Sequence, residues 1–290
     1  MPPVHRSVVH EWLRHDKKFP HVWCPGCGLG IVLGSLVRAL VESGLSKDDV
    51  VLVSGIGCTG RLPVYVDVGS VHTTHGRALT FAAGIKLARP ELTVITVMGD
   101  GDATAIGGNH LIHAARRNMD VTALIVNNQT YGMTGGQAAP TTPMGAVATT
   151  AVYGNIEPAF DISALCATAG AAMVSRATCY HVAQMDKLLL KAIAKPGFAV
   201  VEILSPCPTN FGRQNRLGSH IDMLKDLKAR AVPVAKWGNI RRDERDGKFP
   251  IGVLTDRDQP TYLDSYREVC RKAARLRAGR VPSEPDSMDK

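Results

Sequence analysis

The chain has 290 residues, 45% of them hydrophobic, with 28 Gly and 5% aromatics; it can bury a large core, and it suits an α/β enzyme with Gly-rich strand-to-helix loops better than an all-β sandwich. No apolar run reaches the ~18 residues of a helical membrane span, and the segment before Phe19 is too charged for a secretory leader, so a cytoplasmic location is expected. The net charge of +8 concentrates between about 225 and 280, which reads as a solvated surface and tail and not as a nucleic-acid face.

Apolar runs at 50–54, 92–98, 121–127 and 198–204 read as strands. They are continuous in Val, Ile and Leu, as strands buried on both faces are. Helix-like stretches fall at 29–42, 77–87, 107–117 and 181–195. The alternation predicts βαβ units and a mostly parallel sheet flanked by helices, with ligands at the carboxyl ends of the strands. Two Gly-rich loops lie at such ends, 55–60 and 99–101. Residues 1–235 read as one domain. Residues 236–290, rich in charge and poor in apolar period, read as a C-terminal extension that wraps the domain or touches a partner, its end 283–290 disordered.

The run 94–98 leads into Gly99-Asp100-Gly101-Asp102, and 121–126 leads into Asn127-Asn128. From Asp100 to Asn128 is 28 positions, about one strand–helix–strand crossover, so the two side chains are expected at adjacent strand ends. A carboxylate, an amide oxygen and a backbone carbonyl suit a hard divalent cation that holds a diphosphate. Bare glycines let the backbone approach phosphate oxygens, and a following helix N-terminus adds a favourable dipole.

Seven Cys without a leader argue against a disulfide framework and for metal or redox use. Cys24-Pro25-Gly26-Cys27 is a C-x-x-C turn. Cys58 and Cys207 each follow a strand, beside Gly or Pro expected to exclude regular structure. Four such thiols close a Cys₄ site that fits zinc as well as an iron–sulfur cluster. Cys166, Cys179 and Cys270 have no partner at useful spacing and read as packed thiols. His110 and His113, three apart on one helix, lack a third ligand and read as structural.

Gly-Asp-Gly followed at this interval by Asn-Asn resembles the thiamine-diphosphate signature. Cys-Pro-Gly-Cys-Gly, Ile56-Gly57-Cys58, the loop 131–137 and Cys207, in that order over the first 215 residues or so, resemble the β subunit of 2-oxoacid:ferredoxin oxidoreductases, most of all those acting on 2-oxoglutarate. The resemblance implies thiamine diphosphate held by Ile56, Gly57, Cys58, Thr59, His75, Gly99, Asp100, Gly101, Asp102, Asn128, Thr130, Gly132 and Met133. It implies Mg²⁺ on Asp100, Asn128 and the Thr130 carbonyl, and a [4Fe–4S] cluster on Cys24, Cys27, Cys58 and Cys207. Arg61 is placed to bind a substrate carboxylate and His75 to act near the reactive part of the coenzyme, in proton transfer or carbonyl polarisation. The implied reaction is oxidative decarboxylation of a 2-oxoacid with coenzyme A, electrons passing through the cluster to ferredoxin, with the reverse direction open. The Glu that activates thiamine has no domain here to carry it; in this family it belongs to an α subunit, which implies an α₂β₂ assembly. Pyruvate or branched-chain 2-oxoacids, a non-redox thiamine lyase or transferase with structural zinc, and a nucleic-acid-binding module are the alternatives.

Overall fold

The computed structural model describes residues 8–16 and 20–278. In chain order the elements are α1 (Val8–Glu11), α2 (Leu29–Glu42), β1 (Val50–Ser54), β2 (Gly69–His72), α3 (Ala78–Ala88), β3 (Thr93–Gly99), α4 (Gly108–Arg116) and β4 (Thr122–Asn127). A two-stranded ribbon, β5 (Thr130–Tyr131) and β6 (Gln137–Ala138), precedes α5 (Ile162–Ala169), β7 (Met173–Thr178), α6 (Val182–Ala194) and β8 (Ala199–Leu204). Then follow α7 (His220–Arg230), β9 (Ala231–Pro233), α8 (Val234–Trp237), β10 (Phe249–Asp256) and α9 (Tyr262–Ala278).

The expected apolar strands occupy the middle of one sheet, ordered β2-β1-β3-β4-β8-β7-β10-β9. Six of these run parallel, and β10 joins β7 antiparallel. Every residue of β4 is buried, as a strand covered on both faces requires. Helices cover the two faces. Leu36, Val37 and Leu40 of α2 pack with Leu189 of α6 on one side, and Leu79, Leu111 and Ile162 of α3, α4 and α5 on the other. Each such aliphatic side chain is worth about 1.5–3 kcal/mol in burial. The Arg38 guanidinium grips Asp186 at 2.7 and 2.9 Å, tying α2 to α6; because Arg38 is partly exposed, that pair contributes at most about 1 kcal/mol.

The chain leaves β1 with β2 on one side and β3 on the other. Such a reversal of winding opens a crevice beyond the carboxyl ends of the two strands, where ligands of open α/β sheets sit. The two Gly-rich loops flank that crevice.

Three expectations need correction. The segment after residue 236 supplies β10, a strand of the main sheet, because its apolar Ile251 and Val253 face the packed side of β7 and α6. Gly and Pro beside Cys58 and Cys207 do not exclude regular structure, since a 3₁₀ turn (Thr59–Tyr65) and a π turn (Pro208–Gly212) follow them directly. Cys166 and Cys179 are buried, but Cys270 is an exposed thiol on the polar helix α9. The expectation about 283–290 lies outside the described residues. Among the described residues, no helix is long and apolar enough to cross a membrane.

Candidate active site

Two adjoining cavities open at the crevice. The first, of about 260 Å³, is lined by Ile56, Gly57, Cys58 and Thr59 from the β1 loop, His75, Gly99, Asp100, Gly101 and Asp102 from the β3 loop, and Asn128, Thr130, Gly132 and Met133 from the turn after β4. The parallel register of β3 against β4, Gly99 opposite Val126, brings Asp100 to the Asn128 turn. Asp100 is 2% exposed. Burial pushes its carboxyl up to about 6, against hydrogen bonds from Thr141 Oγ1 and the Gly101 and Gln129 amides. A divalent cation beside it would offset that cost by direct Coulomb attraction.

Asp102 turns away from the cation position. Its Oδ1 accepts the Gly76 N–H at 2.6 Å and lies 2.8 Å from His75 Nδ1. Gly55 makes this possible, because a Cβ there would overlap the Asp102 carboxylate. Burial raises the Asp102 carboxyl, while the Gly76 amide and His75 work the other way. The geometry between the two is not that of a hydrogen bond, so Asp102 acts on His75 as a nearby charge, and His75 lines the cavity.

The second cavity, of about 620 Å³, is lined by all four candidate cysteines, with Trp23, Arg61, Tyr65 and Pro208. The left-handed Gly26 (φ 78°) closes the C-x-x-C turn, and Gly57 (φ 121°) turns the chain into Cys58. Trp23 Nε1 donates to the Cys58 carbonyl at 2.7 Å and fixes that loop from below. A Cβ on Gly132 would stand 3.4 Å from Cys207 Sγ and 3.9 Å from Cys58 Sγ, so those sulfurs are no farther apart than the two distances laid end to end. Burial pushes the Cys27 thiol up to about 12, and the neighbouring Cys207, Cys58 and Cys24 add to it. Cys58 is raised for the same reasons, with Arg61 opposing. Among the described residues no three His, Cys, Asp or Glu side chains converge on one point as single-ion ligands do; the four cysteines line one cavity.

The two cavities share Cys58, Asn128, Gly132 and Met133. Arg61 faces the thiol cavity and His75 the other, so the two candidate catalytic residues stand on either side of Cys58. His110 and His113 play no part in either; His110 Nε2 lies 2.6 Å from Arg77 Nη1. Sequence reasoning missed Trp23 and Thr141; Tyr131, in the loop 131–137 that it did single out, donates its hydroxyl to the Gly101 carbonyl at 3.3 Å. Adjacency to Cys24 was a signal for Trp23; a lone Thr 41 residues from its partner carries none. A further cavity of about 690 Å³ lies beyond Cys207 towards α7, with Phe160, Phe211 and Met223 in its walls and Arg176 and Glu202 in its floor.

Comparison with known proteins adds lineage to this geometry. Residues 49–203 match the thiamine pyrophosphate enzyme C-terminal TPP-binding domain. The chain is 49% identical over 277 residues to a 2-oxoglutarate synthase subunit KorB of Archaeoglobus fulgidus, covering 94% of this chain and 95% of that one. It is 46% identical over 261 residues to the KorB subunit of Methanothermobacter marburgensis, covering 90% and 91%. Among solved structures it superposes with TM-score 0.82 and 30% identity, over 97% of this chain and 98% of the other, on a 2-oxoglutarate:ferredoxin oxidoreductase from Magnetococcus marinus that has 2-oxoglutarate, coenzyme A and succinyl-CoA bound. Matching at nearly full length on both sides, the chain belongs to the thiamine-pyrophosphate enzymes and, within them, to the KorB-type β subunits of the 2-oxoacid:ferredoxin oxidoreductases.

Proposed function

We propose that the chain is the β subunit of a coenzyme A-dependent oxidative decarboxylase that converts 2-oxoglutarate to succinyl-CoA and CO₂ and passes the electrons to ferredoxin. One observation carries this reading: the cavity beside Asp100 and Asn128 and the cavity lined by the four cysteines have a common wall. A coenzyme that becomes electron-rich in one has an acceptor next door in the other. The nearly full-length relatives named for 2-oxoglutarate support the substrate.

The residues fit both groups. Asp100, the Asn128 amide and the Thr130 carbonyl are an oxygen donor set for Mg²⁺, and the buried Asp100 carboxyl is stabilised by a cation. Thiamine diphosphate supplies the carbanion and electron sink that decarboxylation needs. A tetrahedral zinc, with bonds of about 2.3 Å, gathers its sulfurs on one point; cysteines that line a cavity suit a [4Fe–4S] cluster. Beside the Asp102 charge, His75 presents its ring to the substrate carbonyl and holds or delivers a proton at its oxygen. Arg61 binds the distal carboxylate of a dicarboxylic substrate. Ile56 and Met133 form an apolar wall that keeps water from the reacting carbon.

The activating Glu comes from a larger α subunit in an α₂β₂ assembly, and the isolated chain is inactive. Residues 20–235 hold both groups, the exposed helix α9 faces the partner, and the assembly works in the cytoplasm. The test is anaerobic purification of the α–β complex with iron, sulfide, zinc and thiamine diphosphate quantified, followed by 2-oxoglutarate- and coenzyme A-dependent ferredoxin reduction. A brown protein with about four iron atoms per chain and turnover only in the complex is expected. Colourless protein containing zinc, or full turnover by the chain alone, counts against the reading.

A further inference from the structure

The turn that carries Asn128 is held in an unfavourable shape. Gln129 has φ of 63°, a left-handed conformation that a non-glycine residue adopts only when its surroundings impose it. The surroundings here are a chain of buried polar groups that neither cofactor cavity includes. The Gln129 N–H donates to Asn127 Oδ1 at 3.2 Å, and the Asn127 amide in turn donates from Nδ2 to Glu202 Oε1 at 2.8 Å. Glu202, 2% exposed in the middle of β8, also accepts from Ser163 Oγ at 2.6 Å and from Arg176 Nε at 2.8 Å. Arg176 on β7 reaches on to Asp161, which caps α5. The strand pairing explains the meeting: Glu202 stands opposite Arg176 on β7, and Asn127 ends the neighbouring β4.

We infer that Asn127 and Glu202 are positioning residues for the metal-holding turn. Glu202, clamped by Arg176 and Ser163, orients the Asn127 amide, and Asn127 fixes Gln129 so that the Asn128 side chain and the Thr130 carbonyl face Asp100. The Gln129 amide touches the Asp100 carboxylate as well, so the relay ends at the expected cation ligand itself. A buried carboxylate in the middle of a sheet is costly unless it is fully bonded. This one spends an oxygen on an amide that leads to the turn. The same groups, Asn127, Asp161, Arg176 and Glu202, floor the cavity beyond Cys207, so the relay also separates that space from the coenzyme.

The inference rests on the coenzyme reading, and the experiment separates the two. The α–β complex is loaded with thiamine diphosphate and titrated with Mn²⁺ in place of Mg²⁺, with free and bound Mn²⁺ read by electron paramagnetic resonance. Asn127→Ala weakens Mn²⁺ binding about tenfold, the scale of a lost partner behind a ligand, and alters the bound Mn²⁺ spectrum, while iron content stays at the wild-type level. Glu202→Ala repeats the defect. Glu202→Gln keeps one acceptor oxygen but turns its NH2 group on Asn127 or on Arg176, both donors, so it weakens Mn²⁺ binding too, by no more than Glu202→Ala. Because Glu202→Ala strips Arg176 of a partner and risks misfolding, Asn127→Ala, which leaves the Glu202–Arg176 pair intact, is the deciding variant. A folded Asn127→Ala complex with wild-type affinity and spectrum overturns the inference. A folded Glu202→Ala complex with wild-type affinity overturns the hydrogen-bond relay. Wild-type complex that takes up no Mn²⁺ with thiamine diphosphate overturns the coenzyme reading and this inference with it.

Discussion

The two adjoining cavities are built in opposite ways. Around Asp100 the protein supplies order in advance: hydrogen bonds from Thr141 and two backbone amides converge on one buried carboxylate, and the Asn128 turn is braced from behind. Around the cysteines the protein supplies proximity but little bracing. Four thiols from three loops line one space, and burial holds Cys27 far up, at about 12. A thiol that high is a poor ligand until a metal displaces its proton. The difference teaches that the surroundings of Asp100 are shaped by the fold, whereas the four thiols, on the function proposed above, are set in place by the group they receive.

The comparison can be broken most sharply at the thiols. Replacing Cys24, which lines the thiol cavity alone, with Ala should abolish the cluster and ferredoxin reduction together, because no neighbouring side chain can substitute for a missing thiolate; iron analysis and visible absorption check this. Thiamine diphosphate should still bind within about threefold of wild type, since second-site effects at separate groups are small. Equal loss of both groups would show that the shared wall makes them one site. A smaller but still large effect is expected at Asp100. Asp100→Ala should weaken Mg²⁺ binding in the presence of thiamine diphosphate by more than about a hundredfold, beyond the range for groups behind a ligand, while the complex stays brown; titration calorimetry measures it. The smallest effect belongs to the boundary. Arg61→Ala should raise KM for 2-oxoglutarate about tenfold, the scale of one charge-assisted contact, and change KM for pyruvate far less. Equal changes for both substrates would remove Arg61 from substrate choice and leave it as a charge beside Cys58.

Much of the scaffold was legible because its central strands are uninterrupted. The strands β1, β3, β4 and β8 bury both faces, so their Val and Ile runs stand out, and their ends point to the Gly-rich loops. The strand β7 escaped notice because Ser175 and Arg176 interrupt it; both are buried, but Arg176 only because Glu202 and Asp161 meet it in three dimensions. Pro250 and Gly252 hid β10 in the same way, and its partner β7 lies about 80 residues earlier in the chain. At the site, C-x-x-C and Gly-Asp-Gly are visible as spacing. Thr141 and Trp23 act through single long-range hydrogen bonds and Glu202 through three, and one polar residue makes no pattern in the sequence.

At Gly132 the absence of a side chain decides what lies between the two chambers. One hydrogen atom occupies the spot from which a methyl carbon would sit 3.4 Å from one sulfur, 3.9 Å from another and 4.0 Å from the Asn128 amide. The partition there is bare backbone, about as thin as a folded chain can make it. A side chain at this point would meet both sulfurs at ordinary contact distance and thicken the barrier.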